Sequence, residues 1–436
     1  MAPYRVLVVD DSAFMRKIIS DLILQDDRFV IAATAVNGME AVTAVAEHKP
    51  DVITMDLEMP VMNGIEALEH IMKSTPTPII MLSGISEDNT RDTIKALQFG
   101  AFDFIHKPTS ALSTDIHQVG EQLLEKLRVA VYTKRSRSAQ VIDRPIQEIV
   151  PKVELQALNN EKKLHTPKQT PAPKAAVPLH NSIKETKTEI KAPLKPKTDV
   201  VFVASPKKVK EVEKKPAPLL PKLSDKKSNS IGNESTGQRK EKSTSFRHIV
   251  AIGTSTGGPR ALHEVISSLP ESFHAPVLIV QHMPPRFTKS LAQRLDSFSG
   301  LHVVEAEQGM KVNAGVAYIA PGGFHMELVK DGSGYAIRLT DQPQRNGHRP
   351  SVDVLFESLV PFKELARHAV IMTGMGSDGA KGMKLLAESG AVSTIAESEE
   401  TCIVYGMPRA AVEMMAVQTV IPLQQIATKL MKVVLN

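Results

Sequence analysis

The chain has 436 residues, a length that suits two or three domains better than one, and its 42% of apolar residues are enough for real cores. No apolar run reaches the ~18–20 residues that span a bilayer, which argues against membrane insertion. A single cysteine, Cys402, excludes an internal disulfide and a cysteine-built metal site. The start, with aspartates interrupting its apolar stretch, does not read as a signal peptide, and a cytoplasmic protein is expected.

Charge is unevenly spread. Residues 136–245 hold 20 Lys and 3 Arg against 12 Asp and Glu, a net of +11, so the rest of a chain totalling +5 carries −6. The basic balance therefore belongs to one segment and not to the folded parts.

Residues 5–130 alternate short apolar runs with helical patterns. Strands are expected at 5–9, 30–35, 52–55, 78–82 and 103–105, with amphipathic helices such as 13–24, 64–74 and 88–100 and a closing helix at 115–132. Five β-α units predict an open, doubly wound parallel sheet. Asp10 and Asp11 follow the first strand, Asp56 the third, Ser83 ends the fourth, and Lys107-Pro108 ends the fifth. The carboxyl ends of parallel strands meet at one rim, so these groups are expected to converge. Clustered carboxylates repel unless a cation joins them, and Mg²⁺, a hard ion that seeks oxygen, fits.

Residues 136–245 contain twelve prolines, one aromatic and no sustained periodicity. This is the composition of a chain that cannot bury a core, so 133–245 is expected to be a disordered, solvated linker. Attraction to anionic lipid, nucleic acid or an acidic partner is the other reading of its charge, and no nucleic-acid partner is expected.

Residues 246–436 return to β-α alternation, and a second doubly wound parallel sheet is expected. Strands are predicted at 248–252, 276–280, 302–305, 316–320, 368–372 and 392–396, with a hairpin at 326–329 and 335–339 and helices at the end. Gly253-Thr254-Ser255-Thr256-Gly257 has the form G-x-S-x-G between a strand and a helix, the context of a nucleophile elbow. Such a turn alone is more often a phosphate cradle or merely a tight turn. A histidine at the end of the next strand, His282, and Asp378 in a glycine-rich loop after a third strand change the balance. Three strand ends then present the Ser-His-Asp set: nucleophile, base and orienting carboxylate. The chain order Ser, His, Asp differs from the Ser, Asp, His order of α/β-hydrolases.

The N-terminal motifs VVDDS, MDLEMPVMNG, MLSG and HKP resemble the receiver domain of two-component signalling across residues 4–125. The resemblance implies that Asp56 is the phosphoacceptor for a histidine kinase. It implies that Asp10 and Asp11 hold Mg²⁺ with the Glu58 carbonyl, and that Ser83, Phe104 and Lys107 form the switch. The C-terminal motifs IGTSTGG, QHMP, HRPSVDVLF and GMGSDGAKGM resemble the chemotaxis methylesterases, the CheB family. That resemblance implies hydrolysis of glutamate methyl esters, and deamidation of glutamines, on chemoreceptors. Ser255, His282 and Asp378 would be catalytic, the Met375 amide would bind the oxyanion, and Thr256 would support the histidine. No cofactor is expected in this domain. Gly322, Gly323, His325 and Arg349 lie in loops that could line the groove, and for the last two fold support and substrate contact are equally open.

The expected organisation is thus 1–132 receiver, 133–245 linker and 246–436 hydrolase, acting as a monomer in the cytoplasm and recruited to receptor arrays. A long linker departs from the family, whose connector is usually short. Two rivals stand beside this reading. One is a scaffold that binds receptors without turnover; the other is a DNA-binding regulator, against which no helix-turn-helix pattern follows the receiver.

Overall fold

The computed structural model describes residues 2–84, 86–107, 113–142 and 246–435. The expected linker at 133–245 lies almost wholly outside the described residues, as does Pro108.

The first sheet is built from β1 (Tyr4–Val9), β2 (Phe29–Ala35), β3 (Val52–Asp56), β4 (Ile79–Ser83) and β5 (Asp103–His106). They are parallel, in the order β2-β1-β3-β4-β5. Between them run α1 (Ala13–Ile23), α2 (Gly38–His48), α3 (Gly64–Ser74) and α4 (Glu87–Gln98), and α5 (Ser113–Ile142) follows β5. Runs such as Val-Ile-Thr-Met-Asp are buried at every position because helices cover both faces of the sheet. Side chains fix the helix starts: Asn63 and Glu66 form a capping box on α3. Helix α5 continues past the expected end at 132. Its apolar spacing fades there, but no glycine or proline breaks the chain before Pro145.

The second sheet comprises β6 (His248–Thr254), β7 (Val277–Gln281), β8 (His302–Glu305) and β9 (Val316–Ile319), and beyond an antiparallel hairpin, β10 (His325–Asp331) and β11 (Gly334–Thr340), it adds β12 (Ala366–Ile371), β13 (Ser393–Glu397) and β14 (Thr419–Ile421). Its seven parallel strands run β14-β13-β12-β6-β7-β9-β8. Helices α6 (Gly258–Ser267), α7 (Phe287–Asp296), α8 (Val352–Leu359), α9 (Ala380–Glu388), α10 (Met407–Glu413) and α11 (Leu423–Leu435) pack around it. Strand β6 is central: the chain winds outward through β7 on one side and later through β12 on the other. That reversal opens a crevice at the carboxyl ends of β6, β7 and β12. The fold class is the expected one. Helix α8 and strand β14 were not anticipated.

Both sheets belong to one compact unit. The receiver sets α4, β5 and α5 against the crevice rim. Thr90 meets Ser290 at 2.7 Å, and Arg294 donates to Gln98 at 2.9 Å. Phe104 stacks on Phe287 with centroids 4.6 Å apart, and His106 meets the same ring edge-on at 4.8 Å. The apolar cluster on one face of the receiver sheet runs without a break into that of the second sheet.

Candidate active site and phosphoacceptor pocket

Asp10, Asp11 and Asp56 come together at the carboxyl ends of β1 and β3, with carboxylate oxygens within 4.8 Å of one another. Lys107, at the end of β5, places its Nζ 2.8 Å from Asp10 and 2.7 Å from Asp56. Burial pushes Asp56 up to about 6 against the pull of that lysine. Burial also pulls Lys107 down, but its two carboxylate partners outweigh it and hold the ammonium above its ordinary value. One lysine therefore faces three carboxylates of which two are buried, and the hard oxygen donors left over suit Mg²⁺. Arg16 donates to the carbonyls of Asp10 and Asp11, and the Ser12 amide donates to Asp10 Oδ1, which fixes the acidic turn. Ser83 is fully buried, and its hydroxyl meets Thr93 at 2.6 Å and donates to the Gly84 carbonyl. Phe104 is nearly buried against Phe287.

At the second rim, Ser255 follows β6 in a tight turn into α6. Gly257 sits at φ +80°, where a side chain would also strike Ile403. Gly374 comes so close that a Cβ there would lie 2.9 Å from the Ser255 Cβ. This brings the Met375 loop behind Ser255, and Met375 lines the same cavity as Ser255 and His282. Pro259 at the start of α6 has no amide to leave unsatisfied.

His282 follows β7, and its Nε2 lies 2.8 Å from Asp378 Oδ2. Neutral imidazole must then carry its proton on Nε2, so Nδ1 is the basic nitrogen; it is buried and holds no hydrogen bond. Asp378 also accepts from Asn346, from the Ser351 hydroxyl, and from the amides of Val352 and Asp353. Burial opposes its charge, yet the His282 hydrogen bond and charge, with the Asn346 and Val352 donors, hold its carboxyl well below the usual range. The His348 ring lies parallel on His282 with centroids 3.7 Å apart. Burial and the neighbouring imidazole bring His348 down to about 4, so it is neutral at ordinary pH.

One expectation is corrected. Thr256 does not hydrogen-bond His282; its hydroxyl donates at 2.6 Å to Asp103 of the receiver, whose carboxylate also meets Lys126 at 2.6 Å. A charged acceptor on β5 outcompetes a neutral ring nitrogen for that proton. Asp103, His106 and Lys126 share with Ser255, His282 and Met375 a cavity of about 440 Å³.

Of the loop residues, Gly322 packs directly on the backbone of Pro284 and Pro285, beside His282. His325 is not in a loop but opens β10, buried with both ring nitrogens on the backbone, at Pro343 O and Ser351 N, which is fold support. Arg349 donates to the carbonyls of Asp341 and Gln342 and also lines the cavity. Sequence reasoning assigned no role to Gln281, Asn346, His348, Ser351 or Asp353. The QHMP and HRPSVDVLF motifs contained all of these except Asn346, whose signal was the Asn-Gly turn just before the second motif.

The two crevices, one acidic and one carrying a serine, a histidine and an aspartate, define a receiver coupled to a hydrolase-type α/β domain. Residues 250–430 match the CheB methylesterase family, and residues 6–117 match the response regulator receiver domain. A protein-glutamate methylesterase/protein-glutamine glutaminase of Geobacillus kaustophilus is 38% identical over 100% of this chain and 99% of its own. One from Bacillus subtilis is 39% identical over 94% of this chain and 92% of its own. The crystal structure of the Thermotoga maritima CheB methylesterase catalytic domain shares 45% identity, with a TM-score of 0.42, covering 44% of this chain and 100% of that one. The chain belongs to the CheB methylesterase family, with a response regulator receiver domain at its N-terminal end.

Proposed function

We propose that the chain is a protein-glutamate methylesterase and protein-glutamine glutaminase acting on chemoreceptors, held down by its receiver and released by phosphorylation at Asp56. The observation that carries this is the shared cavity, in which receiver residues stand beside Ser255, His282 and Met375.

Ser255 Oγ attacks the side-chain carbonyl carbon while its proton passes to His282 Nδ1. The Met375 amide donates to the developing oxyanion, and a preorganised donor of that kind contributes about 3 kcal/mol in other hydrolases. His282 then gives its proton to the departing methoxide, releasing methanol; from a glutamine it gives it to the leaving nitrogen, releasing ammonia. Water, deprotonated by the same Nδ1, attacks the acyl-serine; the bond to Ser255 Oγ breaks, Nδ1 returns the proton to that oxygen, and a glutamate carboxyl is released. Asp378 keeps His282 in the required tautomer throughout.

In the receiver, the Asp56 carboxylate takes a phosphoryl group from the phosphohistidine of a kinase. Asp10, Asp11, Asp56 and the Glu58 carbonyl would hold Mg²⁺, which when bound neutralises phosphoryl charge. Lys107 pairs with the phosphoryl group and Ser83 hydrogen-bonds it, drawing β5 away from the crevice. The enzyme works as a monomer in the cytoplasm at receptor arrays. No helix among the described residues is long and apolar enough to cross a membrane.

The test is methanol release from methylated receptor, with and without a small phosphodonor and Mg²⁺. Ser255→Ala and His282→Ala should abolish it, and Asp56→Asn should keep the basal rate while losing stimulation. Appreciable turnover by Ser255→Ala would overturn the assignment, and equal stimulation of Asp56→Asn and parent would overturn the control.

A further inference from the structure

The β6–β7 ladder ends at the pair Thr254 and Gln281, with a last rung from the His282 amide to the Thr254 carbonyl at 3.1 Å. Beyond that rung the two chains part, one into the Ser255 turn and the other into the His282 loop. The Ser255 amide donates to the Thr373 carbonyl at 3.0 Å on the β12 side, but no rung of the β6–β7 ladder joins Ser255 to the His282 loop.

Gln281 spans the gap. Its side chain is buried, and Nε2 donates to the Ser255 carbonyl at 2.9 Å and to the His282 carbonyl at 3.1 Å. Both acceptors are carbonyls, so only the NH₂ end of the amide can face them, and both its protons are used. The Ser255 carbonyl also accepts from the Gly258 amide at 2.8 Å, so it is pinned from the helix side and the strand side together.

The surroundings are shaped for this amide. A Cβ on Gly258 would come within 2.0 Å of Gln281 Oε1 and 2.6 Å of Thr254 Oγ1, so residue 258 must be glycine for the amide to fit. Oε1 is buried without a hydrogen bond, a cost that an apolar residue of the same shape would avoid. A side chain kept for packing alone would not retain that orphan oxygen.

Building on Ser255 as nucleophile and His282 as base, we infer that Gln281 is a positioning residue for the hydrolysis. Its amide cross-links the two backbones just past the last rung of the sheet and sets the Ser255–His282 approach. It touches no reacting atom. Its effect falls on the rate of the bound complex, since small misplacements of reacting groups cost as much as 100-fold.

The experiment uses the full chain saturated with phosphodonor, methylated receptor as substrate, and the variants Gln281→Met, Gln281→Glu and Ser255→Ala. Thermal unfolding is recorded for each. Gln281→Met should lower kcat roughly 10–100-fold with KM within about twofold of the parent. Gln281→Glu supplies a readout that a purely structural role would not move. Its carboxylate faces two carbonyls and donates nothing, whereas its protonated form donates one hydrogen bond. Its kcat relative to the parent should therefore rise as pH falls from about 8.5 to about 5.5, across the range where a buried glutamate titrates. If Gln281→Met does not fold, the Glu variant decides alone. An unchanged kcat in Gln281→Met, or a Glu-to-parent ratio flat with pH, overturns the inference. Activity in Ser255→Ala would instead overturn the reading beneath it.

Discussion

Asp103 ties the receiver to the residue beside Ser255, and removing it should raise basal turnover. Its Oδ2 accepts from Thr256, the neighbour of Ser255, and meets Lys126. A hydrogen bond with one charged partner contributes about 1.5–3 kcal/mol. Since about 1.4 kcal/mol is a factor of ten, Asp103→Ala should move the docked-to-open balance by roughly 10–100-fold. The Thr90–Ser290 and Gln98–Arg294 contacts and the Phe104–Phe287 stack survive, so docking is weakened and not abolished. Methanol release without phosphodonor should rise about tenfold or more, with the phosphodonor-stimulated rate of the parent as its ceiling. Asp103→Asn keeps an acceptor for Thr256 but loses the charge that roughly doubles such a bond, so its rise should be smaller, about threefold. The variants should still take a phosphoryl group from a small phosphodonor, since Asp103 is not among the acidic group at Asp56. If Asp103→Ala left the basal rate where it was, the contact would be incidental and the receiver would have to control the site some other way.

Asp378→Asn should lower kcat about 10³–10⁴-fold without abolishing it, because the amide no longer enforces the Nε2–H tautomer while Ser255 and His282 remain; loss equal to that of Ser255→Ala would show a further role for the carboxylate. Acid should destabilise the fold through His368, which is fully buried between His248 and Ser393 and is brought down to about 4 by burial and by His248. A depressed histidine favours the neutral form in the folded state, so its contribution is complete above about 6.5 and is lost as pH falls toward 4. The loss amounts to about 3 kcal/mol. His368→Gln should flatten the fall of the urea midpoint between pH 7 and 4.5, and a slope equal to the parent's would rule this histidine out.

The strands were legible because each is a short unbroken apolar run, and a parallel sheet covered on both faces selects for that pattern. Helix α8 was not. Val352-Asp353-Val354-Leu355-Phe356 alternates like a strand at its start, and the helix is decided by distant partners. Val352 fills the space above Gly253, and its amide and that of Asp353 donate to Asp378. The three-residue β14 carries too little pattern to register. Ser255, His282 and Asp378 stood out because each follows a strand that reads clearly. The donors around Asp378, the His348 stack and the Gln281 bridge did not, since each depends on which loops the sheet order brings together. Thr256 was misplaced for the same reason. Its partner, Asp103, belongs to a different sheet, and no local pattern pairs the two.

That partner's position suggests why β5 is the element through which phosphorylation could reach the nucleophile. Along five consecutive residues, Asp103 holds Thr256, Phe104 and His106 press on Phe287, and Lys107 pairs with Asp10 and Asp56. A strand rises about 3.3 Å per residue, so Lys107 and the residue that holds Thr256 are only about 13 Å apart on one segment. A pull on Lys107 by a phosphoryl group would act along a strand held by its ladder to β4, with little slack to absorb it. The stack on Phe287 and the hydrogen bond to Thr256 are then the contacts that must yield. Coupling of this kind requires β5 to have two arrangements that both sites bias. Under the proposed control, Ser83, one strand away and bonded to Thr93 on α4, would give the second arrangement a hydroxyl to recruit, on the same side of the receiver sheet as the Asp103–Thr256 contact.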